Sequence, residues 1–211
     1  MMNAKTRSSR RLRMIEIALL IGLAACLMAG TLALGAQDRL SGKVVRLHVL
    51  ANSDSEEDQA LKLLVRDRVL ERAAAILEEA GDRQEAEALL RRAIPELEAA
   101  AAREIAAEGY DYSVTAELVE AAFPTKEYQG FTLPAGRYLA LRIVIGQGAG
   151  QNWWCVVFPP LCVSADVPAA ALQAGFTEEE VSLITEEDGG YVLKLKAVEW
   201  WNALREQFSA E

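Results

Sequence analysis

The sequence predicts an α+β fold: a two-layer sandwich in which a mostly antiparallel, four- to five-stranded sheet carries a long helical hairpin on one face. Four segments alternate apolar and polar residues with the period of a strand, at residues 44–51, 112–120, 137–145 and 152–158. Two longer segments with helical periodicity lie between the first and second of these strands. An N-terminal hydrophobic helix for export or anchoring is predicted to precede this domain.

The first segment predicts the compartment. A basic flank at residues 1–16 is followed by residues 17–36, which carry no charge. At about 1.5 Å rise per residue, a helix of this length spans a hydrocarbon layer of roughly 30 Å. Because basic flanks stay in the cytoplasm, the chain beyond a linker at residues 37–43 is predicted to lie outside it. Ala33 and Gly35 have the spacing that a signal peptidase accepts, so a cleaved signal peptide and a retained transmembrane anchor both stay open.

Charge and composition exclude several functions. The chain has 22 basic and 31 acidic side chains, of which five basic and one acidic lie in residues 1–36, so the rest carries a net charge of −13. This sign excludes nucleic acid as the partner. About 175 residues remain, which is enough for one domain. With a single His and no second Cys pair, the sequence predicts neither a metal site nor a cofactor.

The first strand, residues 44–51, mixes charge into one of its faces. Arg46 and His48 share that face, which is therefore expected to be solvated or covered by something polar. A lone strand His is more often a structural donor than a catalyst, since general-base catalysis needs a nucleophile and an orienting partner. The sequence indicates neither.

Polar residues after this strand predict the start of the helical hairpin. Ser53 and Glu56 have capping-box spacing, and the helix they begin is expected to run to about residue 79. Asp82 begins a second helix that runs to Glu108. Two helices between two strands return the chain antiparallel to its start, so the pair is expected to cover one face of the sheet. The stripe predicted to be buried in the first helix is Leu61, Leu64, Val65, Val69, Ala73, Ile76 and Leu77.

The last two predicted strands, residues 137–145 and 152–158, are separated by a glycine-rich run that predicts a hairpin turn. A turn is favoured over a phosphate-binding loop, because aromatic and β-branched residues and not a helix follow the glycines. Trp153 and Trp154 are neighbours on a strand and are expected to point to opposite faces. One ring is predicted to enter the core beneath the helices, and the other is covered by a later segment or offered to a partner.

Two cysteines flank the end of this strand. Outside the cytoplasm, Cys155 and Cys162 can persist as a disulfide, and the residues between them can bend the chain back on itself. Two buried free thiols are the alternative, and both possibilities stay open.

The remaining residues, 163–211, are predicted to form a C-terminal extension. Ser164 or Asp166 is expected to cap a short helix, and Thr177 with Glu180 to cap another. Residues 191–196 alternate as a strand, and residues 197–208 form an amphipathic helix. This helix is predicted to pack on the sheet face that the long helices leave open.

Residues 44–162 carry a resemblance to a known family. The segments that carry it are VRLHVLANSD at 45–54, EDQALK at 57–62, VRD at 65–67, FPTK at 123–126, LPAGRY at 133–138 and NWWCVVFPPLC at 152–162. In these blocks and their spacing the chain resembles the stage II sporulation protein R family of endospore-forming bacteria. The last fifty residues resemble it only loosely, so the resemblance assigns them no role.

The resemblance implies a signalling protein and not an enzyme. Members of the family are exported from the forespore into the space between the forespore and mother-cell membranes. There they activate a membrane-embedded aspartic protease that processes the sigma-E precursor. The resemblance supplies no catalytic residues, so the contact candidates come from motif position and side-chain type: His48, Asn52, Asp54, Lys126, Tyr128, Trp153 and Trp154.

A second class of function is an exported enzyme that processes peptidoglycan. In that case His48 and a nearby carboxylate such as Asp54 would share the acid–base chemistry. Glycan or peptide cleavage usually needs two carboxylates or a nucleophile paired with a base. The sequence shows neither at a recognisable spacing, which favours signalling.

Overall fold

The structure is a computed structural model that describes residues 3–162 and 164–185. Its helices are α1 (Asn3–Ser41), α2 (Glu56–Leu77), α3 (Arg83–Ala107), α4 (Val167–Gln173) and α5 (Glu178–Thr185). Its strands are β1 (Val45–Leu50), β2 (Val114–Phe123), β3 (Lys126–Tyr128), β4 (Phe131–Leu133), β5 (Gly136–Ile145) and β6 (Asn152–Phe158). The predicted strand at 191–196 and helix at 197–208 lie outside the described residues.

The mixed α+β class is confirmed, with a four-stranded sheet in the order β2-β5-β1-β6 and a separate pair formed by β3 and β4. Strand β1 pairs parallel with β5 and antiparallel with β6, while β2 pairs antiparallel with β5. Strand β1 lies between β5 and β6, and its central position buries Val45, Leu47 and Val49 on one face and Arg46 on the other. The two edges of the sheet are therefore β2 and β6.

The predicted hairpin of the last two strands is wrong, because β1 lies between β5 and β6. The connection between them crosses the C-terminal end of β1. The amide of Ala149 donates to the carbonyl oxygen of Asn52 at 3.2 Å, and the amide of Gly150 donates to that of Ala51 at 3.0 Å. A Cβ atom on Gly150 would lie 2.1 Å from the carbonyl oxygen of Ser53, so only glycine permits this crossing.

One face of the sheet packs against α2 and α3. Alternate residues of β1 from Val45 to Val49 join apolar residues of both helices and of β5 in one buried cluster. Arg68 of α2 pairs with Glu104 of α3 at 3.1 Å on the outer surface of the helices. Leu64, predicted to be buried, is 41% exposed because the buried stripe of α2 passes to its side.

The other face of the sheet carries a second buried cluster. Tyr138 and Ala140 of β5 and Val156 of β6 lie at its base. The β3–β4 pair, α4, α5 and the last turn of α1 cover it. Strands β3 and β4 escape prediction because each has only three residues, too few to show a period.

The helix starts follow side-chain capping. Asp82 caps α3 as predicted, accepting from the amides of Gln84 and Glu85 at 2.8 and 2.9 Å. The cap of α2 is Ser55 and not the predicted Ser53, because the Ser55 hydroxyl accepts from the amide three residues on at 3.2 Å. The shorter helices α4 and α5 begin at the predicted caps, Asp166 and Thr177.

Helix α1 continues through the segment predicted to cross a membrane. Its described apolar side chains between Met14 and Met28 are exposed, each by more than half. Within the described part of the chain, no helix is at once long and apolar enough to cross a membrane. The predicted transmembrane anchor is therefore not confirmed.

The crossing of β1 gives a first prediction. Replacing Gly150 by Ala should lower the free energy of unfolding by about 2–3 kcal/mol, because the new methyl group overlaps backbone atoms that cannot move aside. The matched control is Gly81→Ala, whose nearest atom is a flexible carboxylate oxygen of Glu85 at 3.4 Å. Its effect should stay within about 0.5 kcal/mol. Urea unfolding of both variants checks this, and equal midpoints would contradict the crossing.

Candidate partner-binding groove

Asn52 and Asp54, two of the predicted contact residues, hold the connection that crosses β1. The side-chain oxygen of Asn52 accepts from the amide of Gln147 at 3.0 Å. A carboxylate oxygen of Asp54 accepts from the amide of Gln151 at 2.7 Å. The structure therefore gives both side chains an architectural role at the end of β1.

A buried carboxylate ties the same corner to α2. Asp58 accepts from the hydroxyl of Ser53 at 2.6 Å and from the side-chain amide of Asn52 at 2.8 Å. The Ser53 hydrogen bond holds the pKa of Asp58 below its ordinary 3.8, with burial opposing it and the hydrogen bonds of Asn52 and Tyr112 adding to it. The sequence pattern predicts only a helix start in this segment and does not indicate the network around Asp58.

His48 lies on the second face of the sheet, half-buried between aromatic rings. Its Nε2 lies 2.7 Å from Oδ1 of Asn152, and because an amide oxygen can only accept, Nε2–H donates. Burial lowers the pKa of His48 below its ordinary 6.5, the Asn152 bond opposes this, and the charges of Arg142 and Arg46 lower it further. Since His48 and Asp54 bind different partners, the structure does not assemble the acid–base pair of the enzymatic alternative.

Arg46 is fully buried beside His48, and its surroundings are aromatic rather than polar. Its guanidinium lies 4.1 Å from the ring centroid of Phe123 and 5.1 Å from that of Tyr138. One nitrogen, Nη2, donates to the hydroxyl of Tyr128 at 2.6 Å. The other two, Nε and Nη1, have no hydrogen-bond partner among the described residues. The positive charge of Arg46 is therefore stabilised by cation–π contacts with these rings. Among the described residues, no carboxylate forms an ion pair with it.

The rings of Phe123, Tyr128 and Tyr138 form an aromatic cage around Arg46, and Tyr128 links this cage to the protein surface. Burial raises the pKa of its hydroxyl, and the charge and hydrogen bond of Arg46 oppose the rise. Its ring stacks on that of Phe131 with centroids 4.7 Å apart. The bond to Arg46 thus fixes the β3–β4 pair on the sheet.

A groove of about 760 Å³ lies between this β3–β4 pair and the edge strand β6. Its walls are β3 and the turn after it, residues 153–155 of β6, and the segment around Cys162 to Pro168. Four predicted contact residues line it: Lys126, Tyr128, Trp153 and Trp154. The other three, His48, Asn52 and Asp54, do not.

The two tryptophans point to opposite faces of the sheet, as expected for neighbours on a strand. Trp153 packs against the helix-facing cluster, where the guanidinium of Arg66 lies 4.6 Å from its ring centroid. Trp154 packs against the second cluster, with its ring 6.2 Å from that of Phe123. Because β6 is an edge strand, both rings also border the groove, so neither ring is sealed inside the protein.

A disulfide closes one end of the groove. The sulfur atoms of Cys155 and Cys162 lie 1.96 Å apart, with Cα atoms 6.2 Å apart. The amide of Val156 donates to the sulfur of Cys162 at 3.1 Å. The turn after β6 is thereby fastened against the outer side of that strand.

The side chains of the groove are of the types found at protein-binding surfaces. Aromatic rings and one exposed lysine line it, and such rings are the side chains that dominate protein interfaces. In the part of the chain that the structure describes, no group of three or more His, Cys, Asp or Glu residues is placed to hold a metal ion. The fold and the groove thus define the class as an α+β domain with a candidate protein-binding site.

Comparison with known proteins identifies the family. The chain matches the family described as Stage II sporulation protein R (spore_II_R) over residues 41–167. It is 34% identical over 183 residues to Stage II sporulation protein R of Bacillus subtilis (strain 168), covering 75% of this chain and 80% of that relative. The chain therefore belongs to the stage II sporulation protein R family, as its motifs predicted. No solved structure matches it.

The Asp58 network gives a second prediction. Because the folded state lowers the pKa of Asp58, the network stabilises the protein above the unfolded-state pKa, and this contribution is lost as pH falls through the folded-state pKa. Asp58→Asn should lower the free energy of unfolding at pH 7 by about 1–3 kcal/mol and flatten its decline below pH 4 or so. Denaturant unfolding from pH 7 to pH 2.5 checks this. The control is Glu79→Gln, at an exposed position, which should show the wild-type dependence of unfolding free energy on pH. The same wild-type dependence in Asp58→Asn would contradict the network.

Proposed function

We propose that this protein is an exported sporulation signal that activates a membrane-embedded aspartic protease in the mother cell, which then processes the sigma-E precursor. Membership of the stage II sporulation protein R family supports a signalling role in sporulation. The protease and its precursor substrate are what the family resemblance implies for this chain.

The observation that carries the proposal is the position of the groove. It lies inside the matched span, residues 41–167, apart from one residue at its rim, and it gathers four of the predicted contact side chains. Aromatic rings that border a groove are partly buried and still accessible to a partner, as binding hot-spot residues need to be. Trp153 and Trp154 are both half-buried.

The proposed location is outside the cytoplasm of the producing cell, in the space between the forespore and mother-cell membranes. Its support is the sequence of the first 36 residues, in which a basic flank precedes an uncharged stretch. A cleaved signal peptide and a retained anchor are both compatible with this location. In either case the groove would be accessible from the space between the two membranes.

The domain that carries the signal is proposed to be a two-layer sandwich with α2 and α3 as a helical hairpin on one face. Its support is the buried cluster that both helices share with β1 and β5. The groove belongs to the opposite face and to the edge strand.

The third prediction tests activation. Vesicles that contain the protease and its precursor substrate should begin cleavage when the full-length protein is supplied. Trp153→Ala and Trp154→Ala should each reduce the cleavage rate at subsaturating protein by about 30-fold, the equivalent of 2 kcal/mol for a hot-spot residue. Leu63→Ala is the matched control, since Leu63 is 39% exposed on α2, outside the groove, and should leave the rate unchanged.

Circular dichroism and urea unfolding of the tryptophan variants separate lost binding from lost folding. If folded tryptophan variants activate the protease at the wild-type rate, the groove is not part of the contact surface. Absence of cleavage with the wild-type protein would overturn the proposed function itself.

The fourth prediction concerns catalysis. Purified protein incubated with peptidoglycan should release no soluble fragments, because His48 donates to Asn152 and has no described carboxylate partner. Release of fragments that disappears in His48→Ala would establish the enzymatic alternative and contradict a purely signalling role.

A further inference from the structure

The outer edge of β6 is the feature that the proposed function leaves unexplained. In an antiparallel pair, backbone groups alternate between facing the partner strand and facing away from it. The amide of Val156 faces away from β1, because it donates to the sulfur of Cys162. Val156 lies opposite Arg46 in the register, and Trp154 lies opposite His48. By this alternation the backbone N–H and C=O of Trp154 also point away from β1, and so do those of Asn152.

Of these residues, Trp154 lines the groove and Asn152 is exposed next to it. Among the described residues, no strand pairs with the outer side of β6. The sulfur of Cys162 already accepts from Val156, so the free part of the edge is short and centres on Trp154. An additional strand of three or four residues would complete the backbone hydrogen bonds there.

At the opposite edge of the sheet, side chains occupy two of the outward backbone groups. On β2, the outward amide of Ala116 donates to a carboxylate oxygen of Glu98 at 2.9 Å. The outward carbonyl of Glu120 accepts from Arg137 at 3.4 Å. Such capping is how proteins prevent unwanted pairing of an edge strand. The contrast between the two edges singles out β6 as the one that can accept a further strand.

The charge around the groove indicates the chemistry of that strand. Lys126 is exposed at the groove wall and makes no hydrogen bond or ion pair with the residues that the structure describes. Arg46 adds an unneutralised positive charge behind Tyr128. The groove carboxylate, Asp166, is engaged in capping α4. Lys126 is thus an exposed positive charge at the groove wall without an ion-pair partner among the described residues, and an acidic side chain of a bound segment complements it.

We infer that the groove binds an extended peptide segment of the partner protein, which adds as a strand to the outer edge of β6 and places an acidic side chain against Lys126. Trp153 and Trp154 flank the added strand, and the disulfide-linked turn at Cys162 limits how far it extends. This inference rests on the proposed function for the identity of the partner. The mode of binding can be tested without it.

The first experiment measures amide hydrogen exchange of the full-length protein by NMR. In the free protein the amides of Trp153 and Cys155, which face β1, should exchange at least 100-fold more slowly than the amide of Trp154. Slow exchange at Trp154 in the free protein would overturn the inference. If that protection increased with protein concentration, the edge would be occupied by a second copy of the chain. If it did not change with protein concentration, the edge would be occupied by the chain's own residues 186–211.

The probe for binding is an acetylated and amidated pentapeptide of alternating threonine and valine with a central glutamate. At millimolar concentration it should slow exchange at Trp154 by tenfold or more. The same peptide with N-methyl groups on alternate backbone nitrogens should have no effect, because it cannot donate to the edge. Replacing its glutamate by lysine should weaken binding about tenfold. Equal effects of the methylated and unmethylated peptides would contradict strand addition.

The protease assay supplies a matched pair of variants. Asn152→Ala and Asn152→Pro both remove the bond to His48, but only proline removes the outward N–H, and neither removes a hydrogen bond to β1. Activation should therefore fall at least tenfold further in Asn152→Pro than in Asn152→Ala. Lys126→Glu should reduce activation about tenfold, while Lys126→Arg should retain it.

The outcomes separate the two proposals. Equal activation by Asn152→Pro and Asn152→Ala, with a fully active wild-type protein, would overturn strand addition and leave the signalling role intact. An inactive wild-type protein that still binds the pentapeptide at Trp154 would overturn the signalling role and leave the binding mode intact.

Discussion

The crossing of the β5–β6 connection over the end of β1 is the constraint on which the rest of the structure depends. It allows β1 to lie at the centre of the sheet, parallel to one neighbour and antiparallel to the other. The contact is made between backbone atoms, since Gly150 lies against the carbonyl of Ser53. Asn52 and Asp54 supply the side-chain bonds that hold it. Because β1 takes the inner position, β6 becomes an edge strand, and the groove exists only for that reason.

Much of the domain follows from sequence periodicity. The four long strands and the two long helices are predictable because each has several residues of period 2 or 3.6 and a capping residue such as Asp82. Strand order is not encoded in that way. A glycine-rich run between two strands fits both a hairpin turn and a crossing, and the choice depends on the packing of β1, a non-local property.

The candidate site was only partly predictable for the same reason. Trp153, Trp154, Lys126 and Tyr128 could be chosen by side-chain type, and the fold brings them to one groove. Asn52 and Asp54 have equally polar side chains, but their partners are backbone amides almost 100 positions away in the sequence. The local sequence pattern around Asn52 and Asp54 cannot indicate a hydrogen-bond partner that is so distant along the chain. The pattern predicts a solvated face or a polar cover for Arg46, but the aromatic rings around it come from three separate strands.

The cage around Arg46 determines the shape of the groove. A buried guanidinium is costly unless its surroundings compensate for lost hydration, and here the rings of Phe123 and Tyr138 do so in part. The hydroxyl of Tyr128 provides the remaining described contact, and Tyr128 lies in β3, the groove wall opposite β6. If β3 moved away from the sheet, Arg46 would lose this contact as well. The width of the groove is therefore coupled to the solvation of one buried charge, in addition to the hydrophobic packing of Phe131 and Leu133 that holds the β3–β4 pair on the sheet.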